Sequence, residues 1–142
     1  MIKGIEHVGL SVSNLERSIA FYRDIMGMEV VRVIEPDPTF PLDKIVGVPG
    51  AKARIAHMNS DQAMLELFEY QSPDGHPLPQ DHTQADIGFI HAGFTSTDTR
   101  ADYKRMREKG VQFLGEPIEA RPGVWVVYFK GPDGEVCEIR QT

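Results

Sequence analysis

The sequence predicts an α+β fold made of two copies of one βαβββ module. Three observations carry that reading: a repeat spanning half the chain, an alternating stretch that opens each copy and gives way to helical spacing, and a hairpin that closes each copy. The opening segments Ile5 to Val12 (IEHVGLSV) and Phe89 to Ser96 (FIHAGFTS) align His7 with His91 and Gly9 with Gly93 at an offset of 84. The closing segments align Asp61 with Asp133 and Glu66 with Glu138 at an offset of 72.

Each element follows from a local signal. After the first alternating strand, Asn14 is a helix cap, Leu15, Ile19, Tyr22 and Met26 recur at helical spacing, and Gly27 ends the helix. A second strand leads to Glu35 to Lys52, where Pro36, Pro38, Pro41 and Pro49 mark the insertion that accounts for the difference between the two offsets; it reads as a loop over the site. Arg54 to Met58 and Met64 to Tyr70 form a hairpin turned by Asn59-Ser60-Asp61. Gln71 to Gly88, with Pro73, Gly75, Pro77 and Pro79, reads as a linker. In the second copy Asp98 caps and Gly110 stops a helix with a thinner apolar stripe (Ala101, Tyr103, Met106), and Val124 to Lys130 pairs with Glu135 to Arg140 around Gly131-Pro132-Asp133-Gly134. The organisation expected is one domain over residues 1–142, with module 1 at about 3–70, a linker at 71–88 and module 2 at about 89–142.

Composition limits the functions open to this chain. Its 142 residues, 41% of them hydrophobic, suffice for a core without covalent staples, and the single Cys137 excludes an internal disulfide. Met1 to Glu6 hold no apolar signal region, so a cytoplasmic location is expected. No apolar run approaches the roughly 18 to 20 residues that span a bilayer. With 21 acidic against 15 basic residues the net charge is −6, which disfavours nucleic acid and anionic membranes and leaves a small molecule as the expected partner.

Strand parity gathers the candidate chemistry. His7, Gly9 and Ser11 share one face of the first strand, as His91, Gly93 and Thr95 do in the second copy. Glu66 shares a face with Met64 and Phe68, and Glu138 with Val136 and Arg140, while Leu65, Leu67, Cys137 and Ile139 face the other way, towards the helices. A carboxylate inside Met64-Leu65-Glu66-Leu67-Phe68 is costly to bury without a partner. A lone strand histidine or glutamate is ordinarily a satisfied polar residue, but both types recur at matched positions, and two such pairs call for a cation. His57 has no repeat partner, Val127 and Lys130 being nearest by register, and reads as structural. His76 and His82 read as exposed linker residues, Trp125 and Phe129 as core, and Cys137 as a buried apolar residue rather than a nucleophile.

At these residues the chain resembles the vicinal oxygen chelate superfamily, and within it glyoxalase I above all. The resemblance runs through His7-Val8-Gly9-Leu10, Leu15 to Tyr22 before Gly27, Leu65-Glu66-Leu67, the strand at His91, and Gly131-Pro132-Asp133-Gly134 leading to Glu138. It implies two modules whose sheets form a cup with helices outside, around one divalent metal held by His7, Glu66, His91 and Glu138. Extradiol dioxygenases and fosfomycin-modifying members have histidine where this chain has Glu66, and methylmalonyl-CoA epimerases usually glutamine. Two histidines with two glutamates resemble glyoxalase I most closely and suit Ni²⁺, Co²⁺, Zn²⁺ or Mn²⁺.

The implied chemistry is proton transfer next to a carbonyl, with the cation polarising the carbonyl and stabilising the enediolate, and with Glu138 as the base and Glu66 as its counterpart. Ser11 stands where such enzymes carry an arginine for glutathione, and Phe68, Glu69 and Tyr70 stand where they carry an asparagine. Glutathione would therefore need another cation, and Arg54, Arg121 and Arg140 read as solvated. The expected partner is a small carbonyl compound, with a methylmalonyl-CoA epimerase-like enzyme or a non-enzymatic drug-binding resistance protein as alternatives. The resemblance also implies a homodimer, with the site completed within one chain or shared across two.

Overall fold

The computed structural model describes residues 1–61 and 63–141; residue 62, inside the expected first hairpin turn, and residue 142, at the end of the expected second module, lie outside the described residues. The chain divides into two units, Met1–His76 and Pro77–Thr142. Among the described residues no helix is long and apolar enough to cross a membrane.

In the first unit, β1 (His7–Ser11) leads into α1 (Leu15–Ala20), which continues as a π-helical turn over Phe21–Ile25. The Asn14 side chain accepts from the Arg17 amide at 2.9 Å, and Gly27 (φ +77°) ends the segment in the left-handed conformation that favours glycine. β2 (Glu29–Ile34), the short helix α2 (Leu42–Val46), β3 (Lys52–Asn59) and β4 (Met64–Ser72) complete the unit. Its sheet runs β1-β4-β3-β2, with β1 parallel to β4 and the other pairs antiparallel. The parallel pair needs a long crossover, which the helix and the intervening strands supply.

The second unit repeats the plan: β5 (Ala92–Ser96), α3 (Thr99–Glu108), β6 (Gln112–Phe113), β7 (Ile118–Arg121), β8 (Val124–Lys130) and β9 (Val136–Gln141). β5 runs parallel to β9, β9 antiparallel to β8, and β6 and β7 both pair with β8. Asp98 caps α3 by accepting from the Arg100 and Ala101 amides at 3.1 and 3.0 Å. The fold is thus α+β with two mixed sheets, as the repeat predicts.

Parity decides which face each unit buries. Leu65 and Leu67 in one unit, and Cys137, Ile139, Val127 and Phe129 in the other, are buried with the helix residues Leu15, Ile19 and Tyr22 or Met106 of their own unit. The opposite faces carry Glu66 and Glu138. Three features differ from expectation. The strand expected over Phe89 to Ser96 begins only at Ala92, because β9 begins at Val136 and the pairing starts at Ala92↔Cys137, so His91 immediately precedes the strand. The proline-rich insertion is not a bare loop: Leu42, Ala51, Ala53 and Ile55 form an apolar cluster with Ile34, Val46, Val48, Phe68 and Tyr70. Because Phe68 and Tyr70 share parity with Glu66, the insertion packs on the face that bears this carboxylate. Finally, Arg54 is not a free surface cation, since it pairs with Glu16 at 2.9 Å and with Glu35 at 3.0 Å.

Candidate functional site

In both sheets the register sets a glycine beside a glutamate: Gly9↔Glu66 on β1 and β4, and Gly93↔Glu138 on β5 and β9. The histidine two residues before each glycine shares its face and reaches the carboxylate. His7 Nε2 lies 3.3 Å from Glu66 Oε2, and His91 Nε2 lies 3.2 Å from Glu138 Oε2. The two carboxylates are alike in burial, their side chains 16% and 13% exposed.

The outer ring nitrogens show which tautomer each histidine holds. Nδ1 of His7 is hydrogen-bonded to the Glu6 carboxylate. Nδ1 of His91 lies 3.0 Å from Gln84 Oε1, and Gln84 is oriented by its own amide donating to the Ile90 carbonyl at 2.9 Å. Both outer partners are acceptors, so in the neutral ring the proton sits on Nδ1 and Nε2 presents a lone pair. A lone pair facing a carboxylate at 3.2 to 3.3 Å is repulsive, so the contact requires a cation between the two groups or a second proton, on Nε2. The bond from Glu6 raises the pKa of His7, and Glu66 adds to the effect, against a smaller opposing contribution of burial.

The donors fit a divalent metal. Ligand bonds of about 2.0 to 2.2 Å meeting at angles between a right angle and the tetrahedral value separate neighbouring donors by about 2.8 to 3.6 Å. The Nε2–Oε2 separations fall in that range, and an acceptor behind the imidazole is the usual support of a metal-ligating histidine. Among the described residues no three histidine, cysteine, aspartate or glutamate side chains gather closely enough to hold an ion by themselves, so each unit presents one pair of donors.

Each carboxylate also has a second neighbour across the hairpin. His57, directly across from Glu66 on β3, places Nε2 3.0 Å from Glu66 Oε1. Its Nδ1 accepts from Arg32 Nε at 3.0 Å. In the second unit the residue across from Glu138 is Tyr128, whose hydroxyl bonds to Glu138 and whose ring meets His91 edge-on at 5.0 Å. Burial foremost, and then the bond to Glu138, push the Tyr128 hydroxyl above the ordinary phenol pKa, so it remains a donor. His57 therefore has a repeat partner in Tyr128, not in Val127 or Lys130. The two hairpin turns differ by one residue, so a fixed offset misses the match.

The remaining candidates fall elsewhere. His82 pairs with Asp86 at 3.2 Å, His76 is exposed, Phe129 is fully buried, and Trp125 lies under the Arg100 guanidinium. Cys137 is buried on the helix-facing side, as parity requires.

A family model described as the Glyoxalase/Bleomycin resistance protein/Dioxygenase superfamily matches residues 4–139. The chain belongs to this superfamily. It is 49% identical over 142 residues to the metallothiol transferase FosB of Staphylococcus haemolyticus, an alignment covering 98% of this chain and 84% of the relative. It is 29% identical over 138 residues to a probable lactoylglutathione lyase of Synechocystis, covering 96% and 93% of the two chains. The fold is shared with a glyoxalase family protein from Bacillus cereus at a TM-score of 0.88 and 17% identity, covering 99% of this chain and 95% of the other. Superfamily members thus include lyases and transferases.

Proposed function

We propose that the His7–Glu66 and His91–Glu138 pairs are the two halves of one divalent metal centre, and that the protein is a glyoxalase I-like lyase or isomerase acting on a small carbonyl compound. The observation that carries this reading is that each unit sets an imidazole Nε2 3.2 to 3.3 Å from a carboxylate oxygen, with an acceptor behind each imidazole. A divalent cation held by these residues, Ni²⁺, Co²⁺, Zn²⁺ or Mn²⁺, would supply Lewis acidity that makes a C–H beside a carbonyl more acidic. Glu138 removes that proton and returns it to the adjacent carbon, while Tyr128 holds one oxygen of the carboxylate in place. His7 and His91, oriented by Glu6 and Gln84, supply the imidazole ligands. Glu66 is the matching carboxylate of the first unit.

The substrate end of the reading rests on the first unit's apolar cluster. Phe68, Tyr70 and the insertion residues give this face hydrophobic character, and Arg54, a candidate for binding glutathione carboxylates, is held by two glutamates. A carbonyl compound less anionic than a glutathione adduct fits this surface better. The reading includes a cytoplasmic homodimer. Mixing Glu66→Gln with Glu138→Gln protein tells whether the centre is completed within one chain or across two, since a shared centre regains activity in the heterodimer.

Elemental analysis of protein purified without added metal, followed by incubation with candidate substrates in D₂O, tests the whole. The expected result is about one metal per pair of half-sites and deuterium incorporation that stops on chelation. Deuterium entering methylmalonyl-CoA, but not the hemithioacetal of methylglyoxal, would move the assignment to an epimerase. The identity to FosB favours a second reading, metal-dependent thiol transfer. Consumption of fosfomycin with a thiol, without deuterium incorporation into any carbonyl substrate, selects that alternative. The glutamate at position 66, where fosfomycin-modifying members carry histidine, argues for the first.

A further inference from the structure

Three histidines of this chain lie next to a strand glutamate, and their outer nitrogens divide them into two kinds. Behind His7 and His91 stand acceptors, Glu6 and Gln84; behind His57 stands a donor, Arg32, whose guanidinium stays protonated at any ordinary pH. His57 must therefore accept at Nδ1 and carry its proton on Nε2, 3.0 Å from Glu66 Oε1. It cannot offer a lone pair there, so it serves Glu66 as a donor and not a metal as a ligand.

We propose that Arg32 and His57 form a positioning relay that locks Glu66 as the fixed carboxylate of the centre, leaving Glu138 as the glutamate free to release and carry the proton. The inference rests on the metal-centre reading above. Its first support is rigidity. Arg32, His57 and Glu66 are consecutive cross-strand neighbours on β2, β3 and β4 (Arg32↔His57, His57↔Glu66), and the His57 side chain is only 9% exposed. Each bond of the chain Arg32 Nε–H to His57 Nδ1 and His57 Nε2–H to Glu66 Oε1 is 3.0 Å. A carboxylate that accepts such a bond keeps one oxygen occupied and its plane fixed.

The second support is the contrast with the other unit. Glu138 receives a phenol hydroxyl in place of an imidazole. Beside Tyr128 the edge strand is interrupted: β6 ends at Phe113, β7 starts at Ile118, and the residue whose amide reaches the Tyr128 carbonyl is Leu114, which has no polar side chain. Arg140, on the neighbouring strand β9, bears on Tyr128 through its charge, but among the described residues no guanidinium is hydrogen-bonded to Tyr128 as Arg32 is to His57. A hydroxyl turning about a single bond follows a moving carboxylate more easily than a ring pinned at both nitrogens.

Ring ¹⁵N spectra of the metal-free protein test the relay without reference to activity. Expected are an Nε2–H tautomer for the neutral His57 ring and Nδ1–H tautomers for the neutral His7 and His91 rings; an Nδ1–H tautomer at His57 overturns the proposal. Variants then test the lock. His57→Phe and Arg32→Leu should weaken metal binding, measured by competition with a chelator, by about ten- to a hundredfold, while His57→Gln, which retains an N–H donor, should recover part of the loss. Tyr128→Phe should instead lower kcat for deuterium exchange with little change in metal affinity. Because His57 is buried, Arg32→Leu at an exposed position keeps the comparison decisive if His57→Phe does not fold. Unchanged affinity in Arg32→Leu, with a metal-loaded and active wild type, sinks the relay alone; a wild type that binds no metal sinks the reading beneath it.

Discussion

Glu66 lies between two imidazoles on a sheet whose edge is one strand, Glu29 to Ile34, with a register shift between Val30 and Arg32, whereas Glu138 lies between an imidazole and a phenol on a sheet whose edge is split into β6 and β7. The backbone register beside the two glutamates is the same, glycine on one side and a hairpin partner on the other. The difference teaches that a duplicated module can hold its inner donors constant while its outer contacts diverge. Register is enforced by a ladder of backbone bonds and by the buried opposite face, where a slip of one residue would turn every side chain over. The hairpin-side partner of each carboxylate is under no such constraint, and there the units diverge.

The largest effect expected from breaking the comparison is the loss of a donor. Glu138→Ala and His91→Ala should each lower metal affinity and activity by about a hundred- to a thousandfold, on the scale of a fixed polar group removed from a reacting centre; elemental analysis and deuterium exchange check both. Retention of stoichiometric metal in either variant would break the symmetry between the two pairs. Core truncations come next. Phe129→Ala in the second unit and Leu67→Ala in the first, both fully buried, should cost about 3–5 and 2–5 kcal/mol respectively by denaturant titration.

A smaller effect is expected behind the imidazoles. Gln84→Leu removes the acceptor that orients His91 and should weaken metal binding by about ten- to a hundredfold, with near-wild-type thermal stability because the lost contact lies on the surface. The smallest effect compares the helix caps. Asp98→Ala, which deletes two bonds to α3 amides, and Asn14→Ala, which deletes one to α1, should each cost about 1 kcal/mol, the former more, as read from the shift in urea midpoint.

Much of this was legible in the residues because it depends on short-range periodicity. Alternation around His7 and His91, the caps Asn14 and Asp98, the stops Gly27 and Gly110 and the two hairpin turns place the strands and helices in order, and parity alone puts Leu67 and Ile139 against the helices with Glu66 and Glu138 opposite. The same reasoning stopped at contacts that join distant segments. Arg32 stands 25 residues from His57, and Gln84 sits in a stretch that reads as a bare linker. The one-residue difference between the hairpin turns hides the match of His57 with Tyr128 from any search at constant offset.

The sequence by itself determined the module and its duplication, the element order, the buried face of each sheet and the identity of the inner His–Glu pairs, since hydrophobic period and turn chemistry act over a few residues. Tertiary structure alone decided the tautomers: which nitrogen of His7, His57 and His91 holds the proton follows from whether a carboxylate, an amide oxygen or a guanidinium stands behind the ring. That choice depends on distances of a few ångströms between groups far apart in the chain, and composition and spacing carry no record of it.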